Sequence, residues 1–492
     1  MMTKQWKRRR FLRTASLAAP GLLILRDSRS VWGYHANDKL NVAIVGAGGM
    51  GAWNLTHVAG ENVEFLSGLR VQPASLPEMT GENIVALCDV DERSVATSAP
   101  GRRNPPGEAF ARYGRAKKFH DYRKMLDKLD RQIDAVVVST PNHNHAPACV
   151  AAMRRGKHVY CEKPGANSVF EARTLAQVAA EQQVATQLGT QMHASDNYRR
   201  IVELIRAGAI GAVEECHIWL RSGGSTSDRP TETPPVPQGL HWDLFLGPAP
   251  YRPYHPTYSR GSGGNWHRWW DFGGGNFGNM GCHYLDLAFW ALNLRYPVSV
   301  EAEGPPPHPE TTPGQLHVRY RFPGRGEMPP ATLSWTHGSQ PPPVFAENAF
   351  PDWVWGVFVG SNGMLLVSYG QRMLWPAKKF ADFEPPEPSI PSTIGVEIGR
   401  SAHWTAAHKA NPSWVRSAEV GHRAEWISAC KTGSPTSCHF GYSGPISEAV
   451  MLGNVAYRTG AKLEWDAANL RVTNAPGANA HLKREYRPGW TL

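Results

Sequence analysis

The chain is poor in cysteine and in long apolar runs. Its seven cysteines form neither a C-x-x-C motif nor a paired framework, which argues against a disulfide scaffold or a thiolate metal centre. Only Cys430 and Cys438 are spaced so that we keep a pairing open in an oxidising compartment. The apolar stretch at 15–25 is too short to cross a bilayer, so we expect no stable membrane insertion.

A basic stripe with interleaved aromatic residues is also absent. The formal net charge is +10, but residues 1–36 carry eight Lys or Arg against one Asp, so most of the excess lies there. We therefore expect no nucleic-acid partner. With 492 residues, 41% hydrophobic and 19% charged, the chain is typical of a folded protein with room for two domains.

The basic N-terminus is typical of a targeting signal. Residues 7–13 read Lys-Arg-Arg-Arg-Phe-Leu-Arg, a twin-arginine pattern followed by a modest apolar stretch. We expect residues 1–36 to be a twin-arginine signal segment that exports the folded protein to the periplasm or another extracytoplasmic compartment, and we leave open whether the segment is removed. The alternative, a basic N-terminus on a cytoplasmic protein, stays open.

A glycine-rich turn follows the first strong strand pattern. Val42 to Val45 is a short β-branched run typical of a buried parallel strand. Gly46-x-Gly48-x-x-Gly51, with Gly49 and Met50 inside it, then permits a tight turn, close approach of a pyrophosphate and close helix packing. The pattern predicts a dinucleotide site, although an ordinary strand-to-helix turn would look similar.

An acidic residue closes the second predicted strand. Asp89 ends the run from Ile84, where a carboxylate bonds the ribose hydroxyls of an adenosine. It lies 38 residues after Gly51, and we place the excess length in an irregular stretch from about Gly60 to Glu82. A carboxylate here favours NAD over NADP because it would repel a 2′-phosphate, and Asp91 could share the task.

Strands and helices alternate up to about residue 211. The strand at 133–139 leads into Thr140-Pro141-Asn142-His143-Asn144-His145, and the strand at 156–161 leads into Glu162-Lys163-Pro164. Both loops should lie at the carboxyl edge of the sheet, facing the nucleotide. We divide the chain into a Rossmann domain at 37–166 and a second α/β domain at 167–492, whose long strands, for example 316–322, predict a large and mostly antiparallel open sheet.

These separated motifs resemble those of the Gfo/Idh/MocA oxidoreductase family, and most of all its exported bacterial branch. The similarity extends to the Trp-Asp-Leu-Phe-Leu-Gly-Pro segment at 242–248, to Trp-Asp-Phe-Gly-Gly-Gly at 270–275 and to the chain end. The resemblance implies an NAD(P)-dependent enzyme that oxidises or reduces a carbinol carbon of a sugar or cyclitol. It also suggests a homo-oligomer formed through the exposed face of the second sheet.

The resemblance also assigns roles to residues. It places Lys163 beside the nicotinamide and the reacting hydroxyl, and Glu162 on the nicotinamide ribose. Further expected cofactor contacts are Thr140, Pro141, Asn142, His145 and Gln191.

The remaining catalytic pair of the family is an Asp and a His four residues apart at a glycine-rich helix start. Here His283 matches the base, but Asn279 replaces the Asp, and an amide can position substrate without exchanging a proton. We therefore expect Lys163 and His283 to handle the proton and Asn279 to position substrate. Asp286 would either orient the His283 ring or lie on an exposed helix face.

Three readings of the function stay open at this point. The first is a dehydrogenase. The second is a glycoside hydrolase with resident NAD that oxidises, eliminates, hydrates and re-reduces. The third is a sugar-binding protein without turnover.

We expect no metal at His143 and His145, which lack a carboxylate or thiolate at ligand spacing. Trp266, Trp269 and Trp270 either wall a sugar site or anchor the core.

Overall fold

The computed structural model describes residues 39–61, 81–93, 106–224, 226–259, 265–391 and 413–492. The strands are β1 Asn41–Val45, β2 Asn83–Cys88, β3 Lys117–Phe119, β4 Ala135–Val138, β5 His158–Cys161, β6 Thr186–Leu188, β7 Val213–Leu220, β8 Ser299–Glu303, β9 Leu316–Phe322, β10 Ala331–His337, β11 Gly356–Gly360, β12 Gly363–Val367, β13 Arg372–Trp375, β14 Leu463–Asp466 and β15 Arg471–Val472. The α-helices are α1 Met50–Val58, α2 Pro106–Arg112, α3 Tyr122–Leu129, α4 His145–Met153, α5 Val169–Gln182, α6 Asp196–Arg206, α7 Trp242–Leu246, α8 Pro256–Ser259, α9 Gly275–Ala291, α10 Pro343–Ala346, α11 Ser413–Thr432 and α12 Phe440–Thr459. Short 3₁₀ turns lie at Asp130–Gln132, Asn142–Asn144, Gln191–Ala194, Asn265–Arg268, Ala377–Phe380 and Pro476–His481.

The first sheet is parallel and has the strand order β3-β2-β1-β4-β5-β6. Strand order reverses between β1 and β4, which is where α/β sheets of this kind bind ligands. The four residues of β4 are all buried, as expected of an apolar strand covered on both faces. The predicted Rossmann fold is therefore confirmed, and its sheet extends along the chain to β6.

A helix from far along the chain covers one face of this sheet. Trp426 and Cys430 of α11 pack with Leu55 and Val58 of α1 in one buried cluster. Three polar contacts fasten the same helix: Trp53 donates to Glu419 at 2.6 Å, Arg423 to Asn54 at 2.7 Å and Lys431 to Glu82 at 2.7 Å. The Rossmann layer thus includes a helix beyond residue 412.

The second sheet has nine strands in the order β13-β12-β11-β7-β10-β9-β8-β14-β15. Apart from the parallel pair β7 and β10, the strand pairs are antiparallel, which confirms the predicted open sheet. In β9, Leu316, Val318, Tyr320 and Phe322 are buried, while the residues between them are partly or fully exposed. One face therefore holds the core against α6, α9 and α12.

Several smaller expectations meet the structure here. All seven cysteines are free and buried, so the pairing of Cys430 with Cys438 is not formed. The segment predicted as a signal, and most of the stretch between Gly60 and Glu82, lie outside the described residues. No helix within the described part of the chain has the length and apolar character needed to span a membrane.

Candidate active site

The glycine-rich loop leaves no room for side chains at its two ends. A Cβ on Gly46, whose φ is +85°, would lie 2.6 Å from the Ser139 carbonyl oxygen, and a Cβ on Gly51 would lie 1.6 Å from the Gly46 oxygen. Gly49 precedes α1, which begins at Met50, and has a φ of +54° that favours glycine. The loop can therefore bring its backbone amides, Gly48 included, close to a phosphate at the start of α1.

Asp89 braces this loop. Its Oδ2 accepts from the amides of Ala47 at 2.7 Å and Gly48 at 3.3 Å, and its Oδ1 accepts from the Asp91 amide at 3.0 Å. Burial raises the pKa of Asp89 to about 6, and the three amides limit the rise. The Asp91 carboxylate is held by the guanidinium of Arg93. Asp89 thus stands between the phosphate loop and the expected ribose position.

His145 joins the two loops that follow β4 and β5. Its Nδ1 lies 2.6 Å from the Pro164 oxygen and its Nε2 lies 2.6 Å from the Thr140 oxygen. Carbonyl oxygens only accept, so both nitrogens donate and the ring is an imidazolium. Burial opposes this charge, but the neighbouring Cys161 side chain and the two carbonyls raise the pKa of His145 above its ordinary value. His145 therefore connects the two loops through hydrogen bonds from both of its ring nitrogens.

Glu162 is part of a buried hydrogen-bond network. Its Oε1 accepts from Asn54 Nδ2 at 3.1 Å and from Gln191 Nε2 at 3.0 Å. Asn54 in turn accepts from the buried Arg423 of α11. The second oxygen, Oε2, is buried and has no hydrogen-bond partner among the described residues, and the same is true of Asn142 Nδ2. Both groups suit a polar ligand in the cleft.

Lys163 reaches across the cleft to α9. Its Nζ donates to the backbone oxygen and to Oδ1 of Asn279, both at 2.7 Å. His283 lies one turn further along the same helix, and its Nδ1 is buried with no hydrogen-bond partner among the described residues. Burial, and then the Lys163 charge, hold the pKa of His283 well below its ordinary value. The ring is therefore neutral near pH 7 and has a lone pair to accept a proton.

The expectation for Asp286 is wrong, and for Trp269 the structure decides between the two alternatives. Asp286 neither orients His283 nor lies on an exposed face: it is fully buried, and its carboxylate bonds His193 at 3.0 Å and Tyr442 at 2.7 Å. Trp269 is 1% exposed and packs in a core cluster, so it cannot wall a sugar site.

Sequence reasoning missed Asn54 and Arg423. Asn54 had a usable signal, since it lies three residues after the last glycine of the motif, on the first turns of α1. Arg423 had none, because it lies 369 residues from Asn54 in the sequence and meets it only through the packing of α11.

Two family models match the chain. Residues 40–190 match the oxidoreductase family with an NAD-binding Rossmann fold, and residues 222–326 match the C-terminal α/β domain of the same family. Together, the two matches take in just over half of the chain.

Individual relatives match over shorter ranges. An inositol 2-dehydrogenase of Rubrobacter xylanophilus is 27% identical over 38% of this chain and 45% of its own. A glycosyl hydrolase family 109 protein of Solibacter usitatus is 29% identical over 42% of this chain and 43% of its own. The chain thus spans less than half the length of these curated relatives.

A solved structure resembles the whole fold. The structure of levoglucosan dehydrogenase in complex with NADH and levoglucosan is 16% identical, covers 87% of this chain and 99% of its own, and has a TM-score of 0.53. At that identity the likeness concerns the fold. With the glycine loop, the lysine–asparagine contact and both family models in agreement, the chain belongs to the Gfo/Idh/MocA family of oxidoreductases.

Proposed function

We propose that this protein is an NAD-dependent oxidoreductase that acts on a hydroxyl group of a sugar or cyclitol. The observation that carries the proposal is the contact of Lys163 Nζ with Asn279 at 2.7 Å, one helical turn from the neutral His283. Relatives named inositol 2-dehydrogenase and levoglucosan dehydrogenase support the substrate class.

The residues of the cleft fit a dinucleotide. The amides of the loop from Gly46 to Gly51 would hold the pyrophosphate, and Asp89 the adenosine ribose. The unpartnered Oε2 of Glu162 is suited to a hydroxyl of the nicotinamide ribose. When bound, NAD supplies the hydride acceptor. Thr140, Pro141, Asn142 and Gln191 would line or support the nicotinamide end, while His145 fixes the loops that carry them.

The proton is handled by the residues of α9 and by Lys163. His283 is neutral and partly buried, so it can take the hydroxyl proton as the substrate is oxidised. The ammonium of Lys163 would donate to the substrate oxygen and stabilise the negative charge that develops on it. Asn279 fixes Lys163 through two bonds but cannot itself exchange a proton in this pH range.

A second candidate is hydrolysis of a glycoside without net change in the cofactor. The relative named as a glycosyl hydrolase family 109 protein favours it. Both candidates use the same oxidation, and they differ in whether the reduced cofactor is released or used again. A third candidate, sugar binding without turnover, retains the site and lacks both products.

The first experiment is to purify the protein without added nucleotide, denature it and identify the released nucleotide by mass. Near-stoichiometric NAD or NADH would support a resident cofactor. Protein that is empty and does not bind NAD or NADP at millimolar concentration would overturn both enzyme candidates.

Turnover assays then separate the candidates. A panel of cyclitols, sugars and glycosides is followed by NADH absorbance and by product analysis. NADH accumulation favours the dehydrogenase, and product sugar without NADH favours the hydrolase. Lys163→Met and His283→Ala should abolish either activity, whereas Lys378→Met, which removes an exposed lysine of the same charge, should leave it intact. Sugar binding with no product would favour the binding protein.

We further propose that the protein is exported by the twin-arginine route and forms a homo-oligomer. The motif at 7–13 supports export, and the open second sheet supports an oligomer. Replacing Arg8, Arg9 and Arg10 by Lys keeps the charge and should retain the protein in the cytoplasm. Light scattering during gel filtration tests the oligomer, and a monomeric mass would refute it.

A further inference from the structure

Three potential ligands meet at the other end of the predicted cofactor cleft. Glu92 follows β2, His120 follows β3, and His241 lies just before α7, on a segment beyond the Rossmann strands. One ligand atom from each lies within 4.8 Å of those of the other two. The site is more than 40 residues removed in sequence from Lys163 and uses none of the residues assigned above.

Backbone hydrogen bonds hold the segments that carry these three residues against one another. The Glu92 amide donates to the Gly239 oxygen at 3.0 Å, and the His241 amide donates to the Val90 oxygen at 2.8 Å. Gly239 has a φ of +82°, and a Cβ there would lie 3.1 Å from Glu92 Cγ. Backbone hydrogen bonds alone thus dock the segment at 237–241 beyond the carboxyl end of β2.

The hydrogen bonds of His120 determine where its lone pair points. Its Nδ1 lies 2.9 Å from the backbone carbonyl oxygen of Asp89. A carbonyl oxygen only accepts, so Nδ1 carries the hydrogen. In the neutral ring Nε2 then carries the lone pair, and it faces Glu92 Oε2 at 3.7 Å. A cation between these two acceptors would bind both of them. An Nδ1–H bonded to a backbone carbonyl is also the usual outer contact of a metal-bound histidine.

His241 adds a second lone pair. Its ring stacks on that of His120 with centroids 4.0 Å apart and planes 24° apart, and its Nε2 is buried with no hydrogen-bond partner among the described residues. The cluster thus offers two imidazole rings and one carboxylate as donors, with one atom of each within 4.8 Å of the others.

We propose that Glu92, His120 and His241 bind one Zn²⁺ ion or a similar late first-row divalent cation. Two imidazoles and a carboxylate form a known donor set for Zn²⁺, with a fourth position left for water. Because the two rings stack with centroids 4.0 Å apart, one of them must turn for both to bind one ion. The bound ion fastens the segment at 237–241 to the Rossmann sheet.

The ion also bears on the cofactor, and this part rests on the proposed function. The Asp89 backbone oxygen bonds His120 while its carboxylate braces the phosphate loop. Holding His120 would therefore hold the strand end at which the adenosine ribose is proposed to bind. Metal binding itself is measured without nucleotide, so its failure and the failure of the proposed function are separate results.

The test is calorimetric titration of the full chain with ZnCl₂ after treatment with EDTA and removal of the chelator. We expect one ion per chain, and at least tenfold weaker binding in Glu92→Gln, which preserves side-chain size, and in His241→Asn, which replaces the ring by a smaller polar side chain. The matched control is His217→Asn, which alters another histidine paired with a glutamate, Glu215, at 2.7 Å. The control should bind like the wild type.

Thermal unfolding provides a second measurement that needs no activity. Zn²⁺ should raise the melting temperature of the wild type and of His217→Asn, and should leave that of Glu92→Gln and His241→Asn unchanged. No saturable binding at 100 μM Zn²⁺, on the order of a weak site, would overturn the proposal. Unchanged binding in both site variants would also overturn it, because the ion would then lie elsewhere.

Discussion

Replacing Asn279 by Asp should move the acid limb of the pH profile upward. In the wild type, burial and then the Lys163 charge hold the pKa of His283 well below its ordinary value. The ring therefore stays neutral, and able to accept a proton, to pH values below those of a free imidazole. A carboxylate at position 279 would stabilise the imidazolium and so raise this pKa.

The geometry gives the size of the effect. Residues four apart on a helix have Cβ atoms about 5–6 Å apart. With an effective dielectric constant of about 20, opposite charges at roughly 6 Å interact by about 3 kcal/mol, equivalent to about 2 pH units. Lys163 donates to the Oδ1 of residue 279 and would neutralise part of the new charge. We therefore expect an upward shift of about 1 pH unit.

The assay is kcat/KM against pH, from about pH 4.5 to 9, with whichever substrate responds in the panel above. Asn276→Asp adds the same charge to α9 but lies seven residues from His283, about 10 Å along the helix axis. It should shift the limb less. An unmoved limb in a folded Asn279→Asp variant, or equal shifts in both variants, would refute the assignment of His283 as the base.

Three further perturbations test the cofactor end. Gly51→Ala places a Cβ 1.6 Å from the Gly46 oxygen, so it should abolish NAD binding in titrations. It should also destabilise the protein by at least about 2 kcal/mol. A variant that binds NAD with wild-type affinity would contradict the loop geometry. The NAD affinity of the wild type should fall roughly tenfold per pH unit below pH 6, because a protonated Asp89 loses acceptor capacity. Asp89→Asn should bind NAD weakly at every pH. If the affinity of the two proteins depends on pH in the same way, Asp89 is not the titrating group. Arg423→Met leaves the Asn54 oxygen without its donor, which costs about 1–3 kcal/mol of stability. The same variant should raise KM for NAD more than it lowers kcat. An effect on kcat alone would contradict the role of the hydrogen bonds that connect Arg423, Asn54 and Glu162.

Elements with a regular local pattern were predicted closely from the sequence. The alternating residues from Leu316 to Phe322 form β9 with the same bounds, and β4 and β5 lie within the strands predicted at 133–139 and 156–161. Gly208 follows the end of α6 and has a φ of +74°, the backbone conformation in which glycine is usual after a helix. In each case the signal lies within a few residues of the chain, where backbone preference and side-chain periodicity act.

Elements defined by distant contacts were not predicted. The edge strand β13, Arg372–Trp375, is four residues long and exists through its pairing with β12. Helix α11 follows a stretch without a clear pattern, and its place on the Rossmann sheet depends on Trp426 and Cys430 fitting against α1. Local propensity cannot encode such a contact.

The sequence by itself determined the two-domain plan, the phosphate loop and the spacing of Asn279 and His283 on one helix face, because each of these follows from short-range geometry. Only the tertiary structure decided which partners the buried polar groups have. Asp286 bonds His193 instead of His283, His145 clamps the loops of Thr140 and Pro164, and Arg423 reaches Asn54. A buried polar group must be satisfied by whatever the fold brings beside it, and that neighbour is fixed by the packing of elements far apart in the chain.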